Sequence, residues 1–204
     1  MNMDTTIGIT GGIGAGKSVV SRILRCNGFY VYDCDYEAKL IMVNDSKVKD
    51  ALIHRLGEDV YYQDGEINRG KLAQEIFSHE DVRLYVNGVV HKAVRTDIEK
   101  KRMKVDGYFF IESAIIATGG LMSLCNQIWL VTAPLEERIK RVIQRDSTDL
   151  DSVKKRMESQ THEISLLDSE KTVVLENDNY CSLLPEVLEM TNKLTNQQIY
   201  SISC

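Results

Sequence analysis

Residues 5–24 read TTIGITGGIGAGKSVVSRIL, and their order decides the fold. The first six, Thr5–Thr10, are short, apolar and rich in β-branched side chains, the composition of a buried strand. A glycine-rich turn follows at once. From Lys17 to Asn27 the pattern changes to helical spacing, with Val20, Ile23 and Leu24 on one stripe and Gly28 placed to end the helix. The turn itself, Gly11-Gly12-Ile13-Gly14-Ala15-Gly16-Lys17-Ser18, matches G-x-x-x-x-G-K-[ST], a phosphate-binding loop. Glycines let the backbone curl so that successive N–H groups converge on an anion, and they leave room for phosphate oxygens. Lys17 would reach the β- and γ-phosphates, and the Ser18 hydroxyl is the candidate magnesium ligand. The helix beginning at Lys17 adds its positive end to the same site. With Val19 in that helix's first turn, the candidate phosphate-binding stretch runs over residues 11–19.

A glycine-rich turn without function is the competing explanation. A chance match should occur roughly once per hundred chains of this size, and here the match also sits between a strand and a helix. A dinucleotide fingerprint counted from Gly12 needs glycine at position 17, where Lys17 stands. The loop therefore points to a nucleotide triphosphate.

Outward from the loop, the chain of 204 residues has 25 Lys+Arg against 30 Asp+Glu, a formal net charge of −5. That length suits one domain carrying insertions. The acidic balance argues against a nucleic-acid coat, which needs a basic surplus. No apolar run approaches a membrane span. The start, MNMDTTIGIT, has no basic region followed by a cleavable apolar stretch, so no secretory signal is expected. Five scattered cysteines without a CxxC pair fit reduced thiols and a cytoplasmic location.

Further strands are expected at 29–32, 108–112 (YFFIE), 128–132 (IWLVT) and 172–175 (TVVL), with Asp33 just past the first of these. Helices are expected at about 36–43, 46–56, 69–77, 80–104 and 182–194. In the long one, Val82, Val86, Val89 and Val90 share a face, with a bend placed near Gly88. Pro134 and Pro185 each suit the first turn of a helix. Continuous apolar strands alternating with helices imply an α/β fold, a five-stranded parallel sheet covered on both faces. The organisation read from this pattern is one domain: a core of about 4–34, 105–135 and 170–200, a helical insertion of about 35–104, and a helical lid of about 136–168.

Neither N-K-x-D nor D-x-x-G is present, which argues against a guanine-nucleotide switch. A second magnesium carboxylate at a strand end is also missing, although Glu112 could serve through water. A motor would be larger. A small nucleotide kinase remains, in which a mobile lid brings arginines to the transferring phosphoryl group. Arg138, Arg141 and Arg145 stand at spacings of three and four and share one helical stripe, with Leu135, Ile139, Val142 and Ile143 on a neighbouring apolar face. Phosphoryl transfer is mostly positioning plus charge stabilisation, and arginines arriving on closure supply the charge.

Taken together, TGGIGAGKS at 10–18, VYDCDYEAKL at 31–40, DGEINRGKLAQEIF at 64–77, VVHKAVR at 89–95 and RVIQRD at 141–146 resemble the dephospho-CoA kinase family over nearly the whole chain. The resemblance implies magnesium-dependent transfer of the ATP γ-phosphoryl group to the ribose 3′-hydroxyl of dephospho-CoA, with those two molecules as partners and a monomer or weak homo-oligomer. It implies that Asp33 orients or deprotonates the acceptor hydroxyl. Asp35 rather than Asp33 is expected to cap the following helix. Lys17, Asp33, Arg141 and Arg145 become the catalytic candidates, and Arg138, Arg145 and Asn177 join the loop in binding ATP. Lys39, Arg69, His91 and Arg95 are assigned to the acceptor's diphosphate and adenosine. Lys92 stands where the family carries proline, Ser113-Ala114-Ile115-Ile116-Ala117 replaces P-L-L-x-E, and Lys171-Thr172 stands at the family's A-D pair. The residues alone leave open a kinase for another small acceptor and a non-catalytic ATP-binding module.

Overall fold

In the computed structural model, which describes residues 5–178 and 182–202, Thr5–Thr10 forms β1 and Lys17–Cys26 forms α1. The expected terminator does its work. Gly28 adopts a positive φ of 85° and donates to the Arg25 carbonyl, turning the chain into β2, Tyr30–Asp33. The helices α2 (Cys34–Asn44), α3 (Ser46–Leu56), α4 (Arg69–Ser78) and α5 (Glu80–Arg102) follow. Then come β3 (Tyr108–Glu112), β4 (Gln127–Thr132), α6 (Leu135–Asp146), α7 (Leu150–Ser165), β5 (Thr172–Glu176) and α8 (Leu183–Ile202).

The five strands form one sheet in the order β2-β3-β1-β4-β5. The pairs β1–β3, β1–β4 and β4–β5 are parallel, with Ile9 opposite both Glu112 and Trp129. Such an order requires crossover helices, which is why the strands read as continuous apolar runs. Ile7, Ile9, Phe110, Trp129 and Val131 are wholly buried beneath Val20 and Leu24 of α1 and Val187 of α8. Phe110 meets Trp129 edge-on at 5.4 Å, and the Trp129 indole donates to Gln127 Oε1 at 3.0 Å.

The chain divides into two compact units. One comprises the residues up to Tyr32 together with those from Lys104 onward, and so holds the sheet, α1 and α6–α8. The other, Asp33–Met103, is helical and is built on α5. Val82, Val86, Val90, Val94 and Ile98 of that helix are buried at a spacing of four, with α2, α3 and α4 against it. Val89 is only half-buried, because a strict spacing of four selects a narrower stripe than the valine run suggested. Helix α5 is continuous through Gly88. The turn-rich stretch 57–68 is a 3₁₀ turn, Glu58–Val60, followed by a small antiparallel bridge between Tyr61 and Ile67.

Three local expectations change. Asp33, not Asp35, caps α2: it ends β2 in extended backbone, and its carboxylate accepts the Tyr36 N–H at 3.0 Å. Asp35 already lies in the helix. In α6 only Ile139 and Val142 pack inward, against Ile13, Val153 and Met157, whereas Leu135 and Ile143 remain exposed. The closing helix runs to Ile202 rather than to about 194.

Candidate active site

The phosphate-binding loop leaves the carboxyl end of β1 and delivers the chain to α1. Its glycines are required by the backbone and by the neighbours. Gly16, the N-cap of α1, has φ 109°, and a Cβ there would stand 2.3 Å from the Asn177 amide nitrogen. Gly11 has φ 149° and would place a Cβ 2.2 Å from the Val131 carbonyl oxygen. The loop closes with Ala15 N–H donating to the Gly12 carbonyl at 3.1 Å, and Val19 N–H donating to that of Gly16 at 2.9 Å. Lys17 folds back over it, its Nζ donating to the Gly11 carbonyl at 2.8 Å and more weakly to that of Gly12 at 3.4 Å. An ammonium is thus poised above a ring of backbone, beside the N-terminus of a helix of ten residues.

Helix α6 brings two of its arginines to this ring. Arg138 Nε donates to the Ile13 carbonyl at 3.0 Å, and Arg141 donates to the Gly14 carbonyl at 3.2 Å. Burial lowers the Arg138 pKa, yet a guanidinium stays charged at any physiological pH. Asn177, just past β5, ties the arrangement together. Its Nδ2 donates to the Ala15 carbonyl at 2.8 Å, and its backbone carbonyl accepts from Arg141 at 3.2 Å. Asn177 is anchored in turn by donating its own N–H to the Thr132 carbonyl.

Arg145, the third member of the stripe, does otherwise. It makes a two-point contact with Asp146, at 2.7 and 3.1 Å, and Arg156 of α7 reaches the same carboxylate at 2.7 Å. The hydrogen bond to Asp146 raises the Arg145 pKa, and the two guanidiniums hold the Asp146 carboxyl far below the usual carboxylate range.

In the helical unit, Lys39 lies on α2, Arg69 opens α4, and His91 and Arg95 stand one turn apart on α5. His91 is half-buried, and burial lowers its pKa, favouring the neutral imidazole. Arg95 lies 3.5 Å from Glu99. Lys39 and Arg69 are exposed.

Two side chains that the sequence did not single out belong to α7. Gln160 Oε1 accepts the Ile13 N–H at 2.7 Å, and Glu163, 4% exposed, accepts the N–H groups of Ala117 and Thr118 and the Thr118 hydroxyl. A glutamine and a glutamate one turn apart carry no motif, so no sequence signal marked them.

A glycine loop braced by a neighbouring helix does not by itself single out one kinase, but the model of the dephospho-CoA kinase family matches residues 5–182. The chain belongs to the dephospho-CoA kinase family. It is 39% identical over 186 residues to a dephospho-CoA kinase of Porphyromonas gingivalis, covering 91% of this chain and 92% of the relative. A dephospho-CoA kinase of Bacteroides fragilis is 34% identical, with 92% of each chain covered. Among solved structures, the protein TT1252 from Thermus thermophilus superposes with a TM-score of 0.77 at 29% identity, covering 93% of this chain and 96% of that one. A shikimate kinase from Acinetobacter baumannii, at 12% identity, TM-score 0.51 and 96% coverage of both chains, shares the fold alone. Within the family frame, Lys92 is exposed on α5, and Ser113 is buried, its N–H continuing the ladder to the Ile9 carbonyl at 3.0 Å.

Proposed function

We propose that residues 11–19 hold the phosphates of ATP, and that the chain transfers its γ-phosphoryl group to the ribose 3′-hydroxyl of dephospho-CoA, the last step of coenzyme A synthesis. The observation that carries this reading is the loop itself, cradled by Arg138, Arg141 and Asn177, in a chain of the dephospho-CoA kinase family. In a loose transition state the negative charge spreads over the transferring oxygens, and fixed cations and N–H groups stabilise it without reorganising. Lys17 exchanges its two backbone carbonyls for the β- and γ-phosphate oxygens and follows the group in flight. Arg138 and Arg141 set the loop's backbone and bring their charge to its rim. Arg145 leaves Asp146 to join the transferring group when the lid, about 136–168, engages.

Asp33 orients the acceptor hydroxyl and takes its proton. Supporting this is its place at the end of β2, a strand of the same sheet; ligands of open α/β sheets bind past the carboxyl ends of strands. The helical insertion of about 35–104 supplies the acceptor site, with Lys39, Arg69 and Arg95 as cations for the diphosphate and neutral His91 as a hydrogen-bonding group.

Magnesium fits the donors present. The Ser18 hydroxyl at the loop would be one hard oxygen ligand. An ion held by one hydroxyl, phosphate oxygens and water suits magnesium. Held there by Ser18, such an ion would offset the negative charge of the phosphates. A cytosolic setting fits Cys26 and Cys125 as thiols outside any disulfide, and no described helix is long and apolar enough to cross a membrane.

The test is an acceptor panel with ATP and magnesium: dephospho-CoA, AMP, CMP, adenosine and pantothenate. Phosphorylation of dephospho-CoA well above the others is expected. Efficient phosphorylation of another member, with dephospho-CoA left untouched, overturns the assignment.

A further inference from the structure

Ile13 of the phosphate-binding loop is held by α6 and α7 at its N–H, its carbonyl and its side chain. Its N–H donates to Gln160 Oε1 at 2.7 Å, its carbonyl accepts from Arg138 Nε at 3.0 Å, and its side chain packs on Val142, Val153 and Met157. Two successive peptide planes, Gly12–Ile13 and Ile13–Gly14, are therefore fixed by side chains from α6 and α7. A peptide plane fixed at one polar atom can still swing; with neighbouring planes fixed at an N–H and at a C=O, the swing has to break a hydrogen bond. That matters here because a rotated plane would turn a carbonyl oxygen toward the space that an anion must occupy.

Gln160 can do this only if α7 is itself anchored. One turn further along the same face of α7, Glu163 provides the anchor. Its buried carboxylate accepts Ala117 N–H at 2.5 Å, Thr118 N–H at 2.9 Å and the Thr118 hydroxyl at 2.7 Å. Those residues follow β3, whose ladder with β1 extends to Ser113, so the anchor point is continuous with the rigid sheet. A buried carboxylate with three donors is costly to leave half-satisfied, which makes this a firm attachment.

We infer that Gln160 is a positioning residue for nucleotide binding: held in place by the Glu163 anchor, it sets the peptide planes of Ile13 in the phosphate-binding geometry without touching the ligand. The inference rests on the reading of residues 11–18 as a nucleotide cradle. It makes one face of α7 a strut between the loop and the turn after β3, and it treats the two contacts as a single device.

The experiment uses the full chain and three variants: Gln160→Met, which keeps length and loses the acceptor; Glu163→Gln, which keeps shape and loses the charge; and the pair combined. ADP affinity by calorimetry, kcat and KM for ATP, melting temperature and hydrogen exchange of the Ile13 amide are measured on each. Gln160→Met should weaken ADP about fivefold, the worth of one ordinary hydrogen bond. It should raise KM for ATP by a similar factor, leave kcat within about twofold, and speed exchange at Ile13. Glu163→Gln should give the same split, and the double variant should be no worse than about tenfold, since contacts in one network do not add. Unchanged ADP affinity in Gln160→Met overturns the inference, as does a double variant whose loss is the product of the singles. Should Glu163→Gln not fold, Gln160→Met alone decides through ADP affinity and Ile13 exchange. A wild-type chain that binds no ADP overturns the nucleotide reading of the loop itself, a failure separate from that of α7.

Discussion

Asp33→Asn separates the observed capping role of the carboxylate at the end of β2 from the acceptor role proposed for it. As the N-cap of α2, Asp33 accepts the Tyr36 N–H at 3.0 Å, and asparagine offers the same oxygen in the same place. Asn and Asp cap about equally well, so the hydrogen bond survives. What is lost is the interaction of a negative charge with the helix N-terminus, about 0.3–1 kcal/mol at a surface position. For a chain of about 200 residues each kcal/mol moves the melting temperature by roughly 2–4 °C, so a fall of no more than about 4 °C is expected. The catalytic loss is of a different size. A positioned general base contributes about 10²–10⁴ in rate, and the loose transition state of phosphoryl transfer favours the lower end. A 10²-fold loss corresponds to about 2.7 kcal/mol of barrier, which no change in capping supplies. Turnover of dephospho-CoA, ADP affinity and melting temperature should be measured on one preparation, with Asp33→Ala beside it. The alanine variant loses the cap as well and should melt about 2–4 °C lower still. Asp33→Asn with turnover within threefold of wild type refutes the acceptor role and leaves Asp33 a cap.

Lys17→Ala should lower turnover by roughly 10²–10³-fold with the melting temperature nearly kept, because the Gly11 and Gly12 carbonyls it holds can be satisfied by water; wild-type turnover in this variant would remove Lys17 from the chemistry. Arg145→Ala should slow kcat by about tenfold or more while ADP affinity stays within about twofold, since Arg145 is paired with Asp146 and its proposed partner is the transferring group; a weakened ADP affinity with normal kcat would make it a ground-state contact instead. The Arg145–Asp146–Arg156 cluster also sets a pH dependence: because Asp146 is depressed in the folded chain, its contribution is complete above the usual carboxylate range and fades as pH falls below it, so denaturant melts of Asp146→Asn and wild type should converge toward pH 2 and diverge at pH 7. Alkylation of the native chain at pH 8, read by peptide mass, should label exposed Cys26 and spare Cys125, whose thiol burial pushes up to about 12; early labelling of Cys125 would show that the β4 end of the sheet opens.

What the sequence determined by itself is local. Thr5–Thr10, the glycine turn and Lys17–Cys26 form where composition and periodicity place them, because the strand's apolar run, the loop's glycines and the helix's stripe each act within a few residues. The parallel class of the sheet was also legible, since strands buried on both faces cannot alternate. The arginine spacing announced a charged helix beside the loop. It could not tell which guanidiniums would arrive: Arg138 and Arg141 reach backbone carbonyls, while Arg145 is taken by the adjacent Asp146. Likewise the local pattern favoured Asp35 as the cap of α2, and only the end of β2 decided for Asp33, which has the extended backbone while Asp35 already lies in the helix. Gln160 and Glu163 lie about 147 and 45 residues from their partners, and nothing local distinguishes them from a solvated helix face. Only the packing of α7 against the sheet-borne turns made them acceptors, because a buried N–H must find a partner wherever in the chain one is within reach.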